Sequence, residues 1–154
     1  MSQLDPLKTF TELTIGKRVD RDTANITNGL ALFNIEGGRV KMNLLLGEVT
    51  TVIETKTVTF YLTSDADTGT TTELSSSSTP TDLSALEAGG FVTITGIATD
   101  DTVKANAGSV AAQTTPVILA AGAIKAVVGA THTGSIKWSL FYTPIDDGAY
   151  VEAA

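Results

Sequence analysis

The chain contains few side chains that could support catalysis. Its single histidine, His132, is followed by Thr133-Gly134, and no Gly-x-Ser-x-Gly sequence is present to expose a serine nucleophile. One histidine cannot supply a typical multi-histidine metal site, and the absence of cysteine excludes thiol catalysis and zinc–thiolate sites. We therefore expect no catalytic residue, and His132 is interpreted as a structural loop residue that precedes a strand.

Acidic pairs are the other candidates for chemistry, and they occur at Asp65/Asp67, Asp100/Asp101 and Asp146/Asp147. Two carboxylates held at a working distance can hydrolyse a glycosidic bond. All three pairs fall in predicted loops, where solvated acids are ordinary turn residues. Asp65-x-Asp67-x-Gly69 resembles the start of a calcium loop, but positions five, six and twelve hold Gly69, Thr70 and Ser76. The glycines match neither a P-loop nor a dinucleotide fingerprint, so we expect no metal and no cofactor.

Three aromatic residues lie close together near the end of the chain. Trp138 and Tyr142 share one face of an alternating strand, so both are predicted to point into the core. Phe141 lies on the opposite face beside Ser139 and Lys137. An aromatic side chain on an otherwise polar strand face is typical of a subunit contact, although a single exposed aromatic needs no such explanation.

Composition narrows the class of protein. The 154 residues carry a net charge of −7, and only 18% of them are charged, whereas 26 threonines and 10 serines supply hydroxyls. The ten basic residues are scattered, which is untypical of proteins that bind nucleic acid. No apolar run reaches the roughly 18 residues of a membrane span, and the first residues lack a secretory signal. We expect one domain with neither nucleic acid nor membrane as a partner.

The hydrophobic pattern positions these residues in an all-β fold. From Gly29 the apolar residues alternate with a period of two, and the pattern predicts a hairpin of two strands around Glu36-Gly37-Gly38. Further strands are predicted at 56–63, 91–96, 116–119, 123–128, 134–142 and 149–152. A low-complexity loop, Ser64–Pro80, precedes one short helix that begins at Thr81 or Asp82 and ends at Gly89. The prediction is an antiparallel, jelly-roll-like β-sandwich.

The first residues do not match this pattern. Residues 1–22 are interpreted as an extended N-terminal arm and residues 23–154 as the sandwich domain. The arm carries four apolar residues at spacings that also fit a short amphipathic turn, namely Leu7, Phe10, Leu13 and Ile15. A mixed-charge segment that includes Lys17 and Arg18 follows. An arm that docks on a neighbouring protein is the preferred interpretation, and a frayed terminus is the alternative.

The C-terminal third resembles small virion structural proteins of tailed bacteriophages. The residues that carry the resemblance run from Ala120–Gly129 through Gly134–Val151 and include the strand Lys137-Trp-Ser-Leu-Phe-Tyr-Thr-Pro-Ile-Asp146. The resemblance is greatest to capsid decoration, or cement, proteins. The resemblance covers about 35 residues well, and it implies a β-sandwich that binds the outer surface of a capsid. It also implies a homotrimer and an N-terminal arm that reaches over neighbouring capsid subunits.

On this interpretation the chain is a non-enzymatic protein whose partners are the major capsid protein and itself, located on the outer capsid surface of the virion. We place Leu7, Phe10, Leu13 and Ile15 in the arm contact, Lys17 and Arg18 opposite shell carboxylates, and Phe141 in a capsid or subunit contact. The alternatives are a phage tail or fibre component, or an adhesin module that binds host glycans through the loops Ser64–Pro80 and Asp100–Gly108. A hydrolase that uses the acidic pairs is the third alternative.

Overall fold

The chain folds as a sandwich of two antiparallel β-sheets with one short helix at its N-terminal side. A computed structural model describes residues 5–106 and 108–154. Within these residues the elements are α1 (Pro6–Thr14), β1 (Lys17–Asn25), β2 (Ala31–Glu36), β3 (Val40–Thr51), β4 (Thr59–Ala66), β5 (Thr72–Glu73), β6 (Thr81–Asp82), β7 (Phe91–Thr93), β8 (Val103–Ala105), β9 (Val117–Leu119), β10 (Gly122–Val128), β11 (Ser135–Pro144) and β12 (Tyr150–Ala153).

Each sheet contains six of these strands. The first sheet has the order β1-β11-β3-β7-β8, and β9 also pairs with β3. The second sheet has the order β12-β2-β10-β4-β5, and β6 also pairs with β4. Every pairing is antiparallel. The predicted all-β sandwich with one short helix is therefore confirmed.

The core lies between the two sheets and follows from the alternation in the sequence. Along β10 buried and half-buried residues alternate without interruption, because successive side chains of a strand point to opposite faces. Trp138 of β11 is 3% exposed and stacks on Phe60 of β4 with ring centroids 6.2 Å apart, so it joins the two sheets. A Cβ at Gly47 would meet the indole ring at 2.8 Å, so this glycine makes room for Trp138.

The predicted hairpin around Glu36-Gly37-Gly38 is wrong. β2 belongs to the second sheet and β3 to the first, so the glycines carry the chain across the sandwich instead of joining two paired strands. Gly37 and Gly38 both have positive φ, 77° and 142°, which allows this sharp corner. Arg39 then holds the corner to the turn after β11, because its guanidinium forms an ion pair of 2.7 Å with Asp146.

The short helix is not at the predicted position. Thr81–Asp82 forms β6, and the turn after it directs Leu83 and Leu86 into the core, where both side chains are buried. The Asp82 carboxylate accepts hydrogen bonds from the backbone N–H groups of Val58 and Ser84, and these bonds lower its pKa. Long-range packing thus overrides the local helix signal. The helix among the described residues is α1, in the segment that the sequence predicted to be extended.

The boundary between arm and sandwich also moves. Of the predicted arm at residues 1–22, residues 1–4 lie outside the described residues and Pro6–Thr14 forms α1. Lys17–Asn25 is a strand of the first sheet, paired with β11 from Lys17 opposite Tyr142 to Asn25 opposite Ser135. The sequence did not predict this strand, because five of its nine residues are charged and few of its positions face inward. The described segment that precedes the sandwich therefore ends at Gly16.

The Ser64–Pro80 segment is more ordered than its composition indicates. Its first residues continue β4 to Ala66, and Thr72–Glu73 forms β5 against the same strand. Leu74, Ser75 and Ser76 are buried. The Ser75 hydroxyl accepts a hydrogen bond from the Leu62 N–H and also contacts the Thr102 hydroxyl at 2.8 Å. This segment thus packs onto the sandwich along part of its length.

Candidate functional site

The helix α1 presents an apolar stripe to solvent. Leu7, Phe10 and Leu13 are three residues apart, so they line one face of the helix. Their exposed fractions are 79%, 67% and 82%. Thr9 and Glu12, on the other side of the helix, are only half exposed. This orientation is the reverse of that of an ordinary surface helix, whose apolar side packs on the core.

Polar contacts hold α1 in this orientation. Asp5 caps its first turn, because its carboxylate accepts a hydrogen bond of 3.0 Å from the Leu7 N–H. After the helix, the Asn43 side-chain amide donates to the Ile15 carbonyl at 2.9 Å and to the Thr143 hydroxyl at 3.1 Å. Gly16 has a φ of 97° and lies directly against the Tyr142 carbonyl. The junction therefore fixes where the helix leaves the sandwich.

A surface groove separates α1 from β1. It has a volume of about 560 Å³ and is lined by Lys8, Glu12, Gly16, Lys17, Arg18 and Tyr142. Four of these six residues are charged, so charged side chains border the groove. None of the three stripe residues lines it, and Leu13 borders a separate pocket beside Tyr142 and Pro144.

The three predicted contact residues next to the stripe have different surroundings. Ile15 is half-buried, and Lys17 is exposed. Arg18 is exposed too, but it forms an ion pair of 2.8 Å with Asp20, and its guanidinium lies 5.7 Å from the Phe141 ring centre. Partial burial raises the pKa of Asp20, but the hydrogen bonds from Arg18 and Ser139 outweigh it and the pKa is lowered overall. Lys17 is thus the cation more available to an outside carboxylate.

Phe141 lies on the outer face of the first sheet, opposite to Trp138 and Tyr142, as predicted. It is half-buried, with Arg18 beside it on β1 and Leu44 beside it on β3. Leu46, which pairs with Ser139 in an adjacent row, is also half-buried on this face. The structure thus places Phe141 next to Arg18 and in a small apolar cluster.

Sequence reasoning missed three exposed apolar residues near the helix. Ile118, Ile145 and Tyr150 are 67%, 43% and 47% exposed. Ile118 pairs with Lys41, which pairs with Thr143, and Ile145 and Tyr150 flank the turn after β11. All three therefore lie at the end of the sandwich from which α1 emerges. No periodic signal marks them, because Ile118 lies in a three-residue strand, Ile145 in the turn after β11 and Tyr150 at the start of a four-residue strand.

The residues considered for catalysis are not assembled into a common site. His132 is buried, its Nδ1 lies 2.8 Å from the Ala130 carbonyl, and its Nε2 contacts no hydrogen-bond partner among the described residues. Asp65 forms an ion pair of 2.5 Å with Lys125, which lowers the pKa of Asp65. Asp100 accepts a hydrogen bond from Thr95, and the hydrogen bond from Arg39 lowers the pKa of Asp146 to about 2. These acids act as local structural braces.

Residues 5–106 and 108–154 hold no group of three or more histidine, cysteine or acidic side chains placed to bind a metal ion. Among the same residues, no helix is long and apolar enough to span a membrane.

Comparisons with known proteins do not identify the chain. No family model matches it, and the comparisons found no matching curated protein or solved structure. The interpretation of its function therefore depends on its own residues and geometry.

Proposed function

We propose that the chain is a non-enzymatic structural protein that decorates the outer surface of a tailed-bacteriophage capsid and stabilises the shell by bridging neighbouring capsid subunits. The observation that carries this proposal is the solvent-facing stripe of α1. The resemblance of the Lys137–Asp146 strand to decoration proteins supplies the identity of the partner. The chain thus binds the major capsid protein and acts by adding contacts, without a reaction step.

Exposure of the stripe to water is energetically unfavourable unless a partner covers it. Full burial of one large apolar side chain is worth roughly 1.5–3 kcal/mol, and Leu7, Phe10 and Leu13 remain mostly exposed. A contact of this size is small by itself. On a symmetrical shell the same contact is repeated many times, and several copies linked together bind with much higher avidity than one. Repetition makes a nine-residue helix sufficient for stable decoration.

The electrostatic features agree with this location. A net charge of −7 keeps the protein away from packaged nucleic acid and suits the outside of the shell. In the contact, Lys17 pairs with a shell carboxylate, because it forms no ion pair with the described residues. Arg18 contributes a second charge beside Asp20. Ile15 continues the apolar contact toward the sandwich, and Phe141 lies in a contact with another subunit.

Binding to empty capsids tests the proposal. The probe is the empty capsid of the phage whose genome encodes the chain, sedimented with wild-type protein or with a variant carrying Leu7→Ser, Phe10→Ser and Leu13→Ser. We expect at least a tenfold loss of binding in the variant, because the apolar area that the shell covers is removed. Val52→Ser is the matched control, since Val52 is also exposed and belongs to the loop after β3, away from α1.

Two results would contradict this function. One is the absence of wild-type binding to the capsids, and the other is undiminished binding of the triple variant. A glycan array with the wild-type protein provides a separate test, because a decoration protein shows no saturable sugar binding. Saturable binding to a defined glycan would instead support an adhesin or fibre module.

A further inference from the structure

The outer strands of the two sheets differ greatly in length. In the first sheet the outer strands are β1, with nine residues, and β8 and β9, with three each. In the second sheet they are β12, with four residues, and β5 and β6, with two each. Short outer strands are a common protection against pairing with another chain, since they offer few unpaired backbone groups. β1 lacks this protection.

The first half of β1 is regular enough to accept another strand. Its pairing with β11 is continuous from Lys17 opposite Tyr142 to Arg21 opposite Trp138, and the register shifts only after Arg21. β1 contains no proline, and it pairs with no second strand among the described residues. The other edge of this first half therefore presents a row of backbone N–H and C=O groups to solvent, whereas the second half of β1 approaches the end of β12.

We propose that β1 pairs with β1 of a second copy of the chain, antiparallel and about a twofold axis at Val19. In this register Arg18 of each copy lies opposite Asp20 of the other, on the outer face of the sheet. These two residues already form an ion pair within the strand, with side chains 59% and 57% exposed. Cross-strand pairs of opposite charge stabilise an antiparallel pairing, and like charges oppose it.

The neighbouring registers are disfavoured by charge. An axis at Arg18 places two arginines opposite each other. An axis at Asp20 places two aspartates opposite each other, and the Arg18–Asp22 pairs that would offset them need a residue beyond the register shift after Arg21. In the proposed register two like-charge pairs remain, Lys17 of each copy with Arg21 of the other. They lie at the ends of the pairing, where the exposed Lys17 side chain can turn into solvent.

The near balance of charge in the segment permits a second copy as the occupant. The net charge of −7 opposes association of two copies in general, whereas residues 17–22 contain three cations and two anions, so this surface is almost neutral. A twofold contact uses the same surface on both copies and therefore forms a dimer that adds no further copies. The proposal goes beyond shell binding, with which it shares Lys17 and Arg18. A trimer, as the resemblance implies, would use another surface in addition.

Charge exchange between two variants tests the register. Light scattering coupled to size exclusion measures the mass of wild-type protein, of Arg18→Asp, of Asp20→Arg and of their equimolar mixture. Each single variant brings four like charges together, so we expect at least a tenfold weaker association than that of the wild type. In the mixture, two aspartates face two arginines, and association returns. This recovery also shows that both variants fold.

Two control variants change charge by the same amount elsewhere. Lys41→Asp and Asp147→Arg alter exposed residues that lie outside β1, and we expect wild-type association for both. The proposal is overturned by a monomeric wild type, by single variants that associate like the wild type, or by a mixture that stays dissociated. Because no capsid is present, failure of shell binding leaves this result unaffected.

Discussion

Leu140 and Leu13 show how differently the sandwich and α1 use the same side chain. Leu140 of β11 is completely buried between the sheets, whereas Leu13 of α1 is 82% exposed. The sandwich is stabilised by apolar burial, and α1 is held by a capping carboxylate, by Asn43 and by the close approach of Gly16 to Tyr142. The apolar residues of α1 thus contribute little to the free energy of unfolding of one copy.

The largest expected effect is a difference in the free energy of unfolding between an alanine variant of the core and one of α1. Leu140→Ala leaves a cavity in the core and should lower the free energy of unfolding by about 2–5 kcal/mol. Leu13→Ala removes the same atoms from a solvent-facing position, so its effect should stay within about 0.5 kcal/mol. Urea unfolding of both variants measures the difference. Equal losses would show that the α1 stripe is buried in the protein alone, which would contradict the comparison.

The strands show how much of the fold could be predicted. Strict alternation in β10 and β11 identified both strands and placed Trp138 in the core, because a period of two reports which face is buried. The period of two does not show which other strand a given strand pairs with. Gly37 and Gly38 therefore resembled a hairpin turn, although β2 and β3 belong to different sheets.

The candidate site was predictable in part for the same reason. The spacing of Leu7, Phe10 and Leu13 marks them as one apolar group, and the sequence placed them in a contact with another protein, a prediction that remains to be tested. Spacing alone could not show that a helix turns this group outward, since that depends on Gly16, Asn43 and Tyr142 at distant positions. Helix propensity is weak in this threonine-rich segment, which favoured an extended arm.

The junction between the two regions provides the second prediction. Gly16→Ala forces an L-residue to a φ of 97° and sets its Cβ against the Tyr142 carbonyl. We expect a loss of about 1–3 kcal/mol in the free energy of unfolding. Ala substitution at Gly29, which also has positive φ but has open space around it, is the control for backbone strain alone. A Gly16 variant no less stable than the Gly29 variant would show that the close contact is unimportant.

The corner of the sandwich provides a pH-dependent test. The Arg39 guanidinium holds the pKa of Asp146 at about 2, below its ordinary value of 3.8. Because the pKa of Asp146 is lower in the folded state, its carboxylate stabilises the protein at pH values above the ordinary pKa of 3.8. This stabilisation is lost as the pH falls toward 2. Asp146→Asn should therefore be less stable at neutral pH and should lose less stability between pH 4 and pH 2. If the free energy of unfolding falls by the same amount in the wild type and in Asp146→Asn between pH 4 and pH 2, this expectation is wrong.

The smallest expected effect on the fold concerns the start of α1. Asp5→Ala removes the carboxylate that accepts the Leu7 N–H, a capping contact worth roughly 0.5–2 kcal/mol to the helix. Because α1 lies outside the core, this loss should unwind the helix without changing the urea midpoint. Amide hydrogen exchange in Pro6–Thr14 should accelerate, whereas exchange in β11 should not. If the midpoint also falls, α1 and the sandwich unfold together, and the helix is more than an appended contact element.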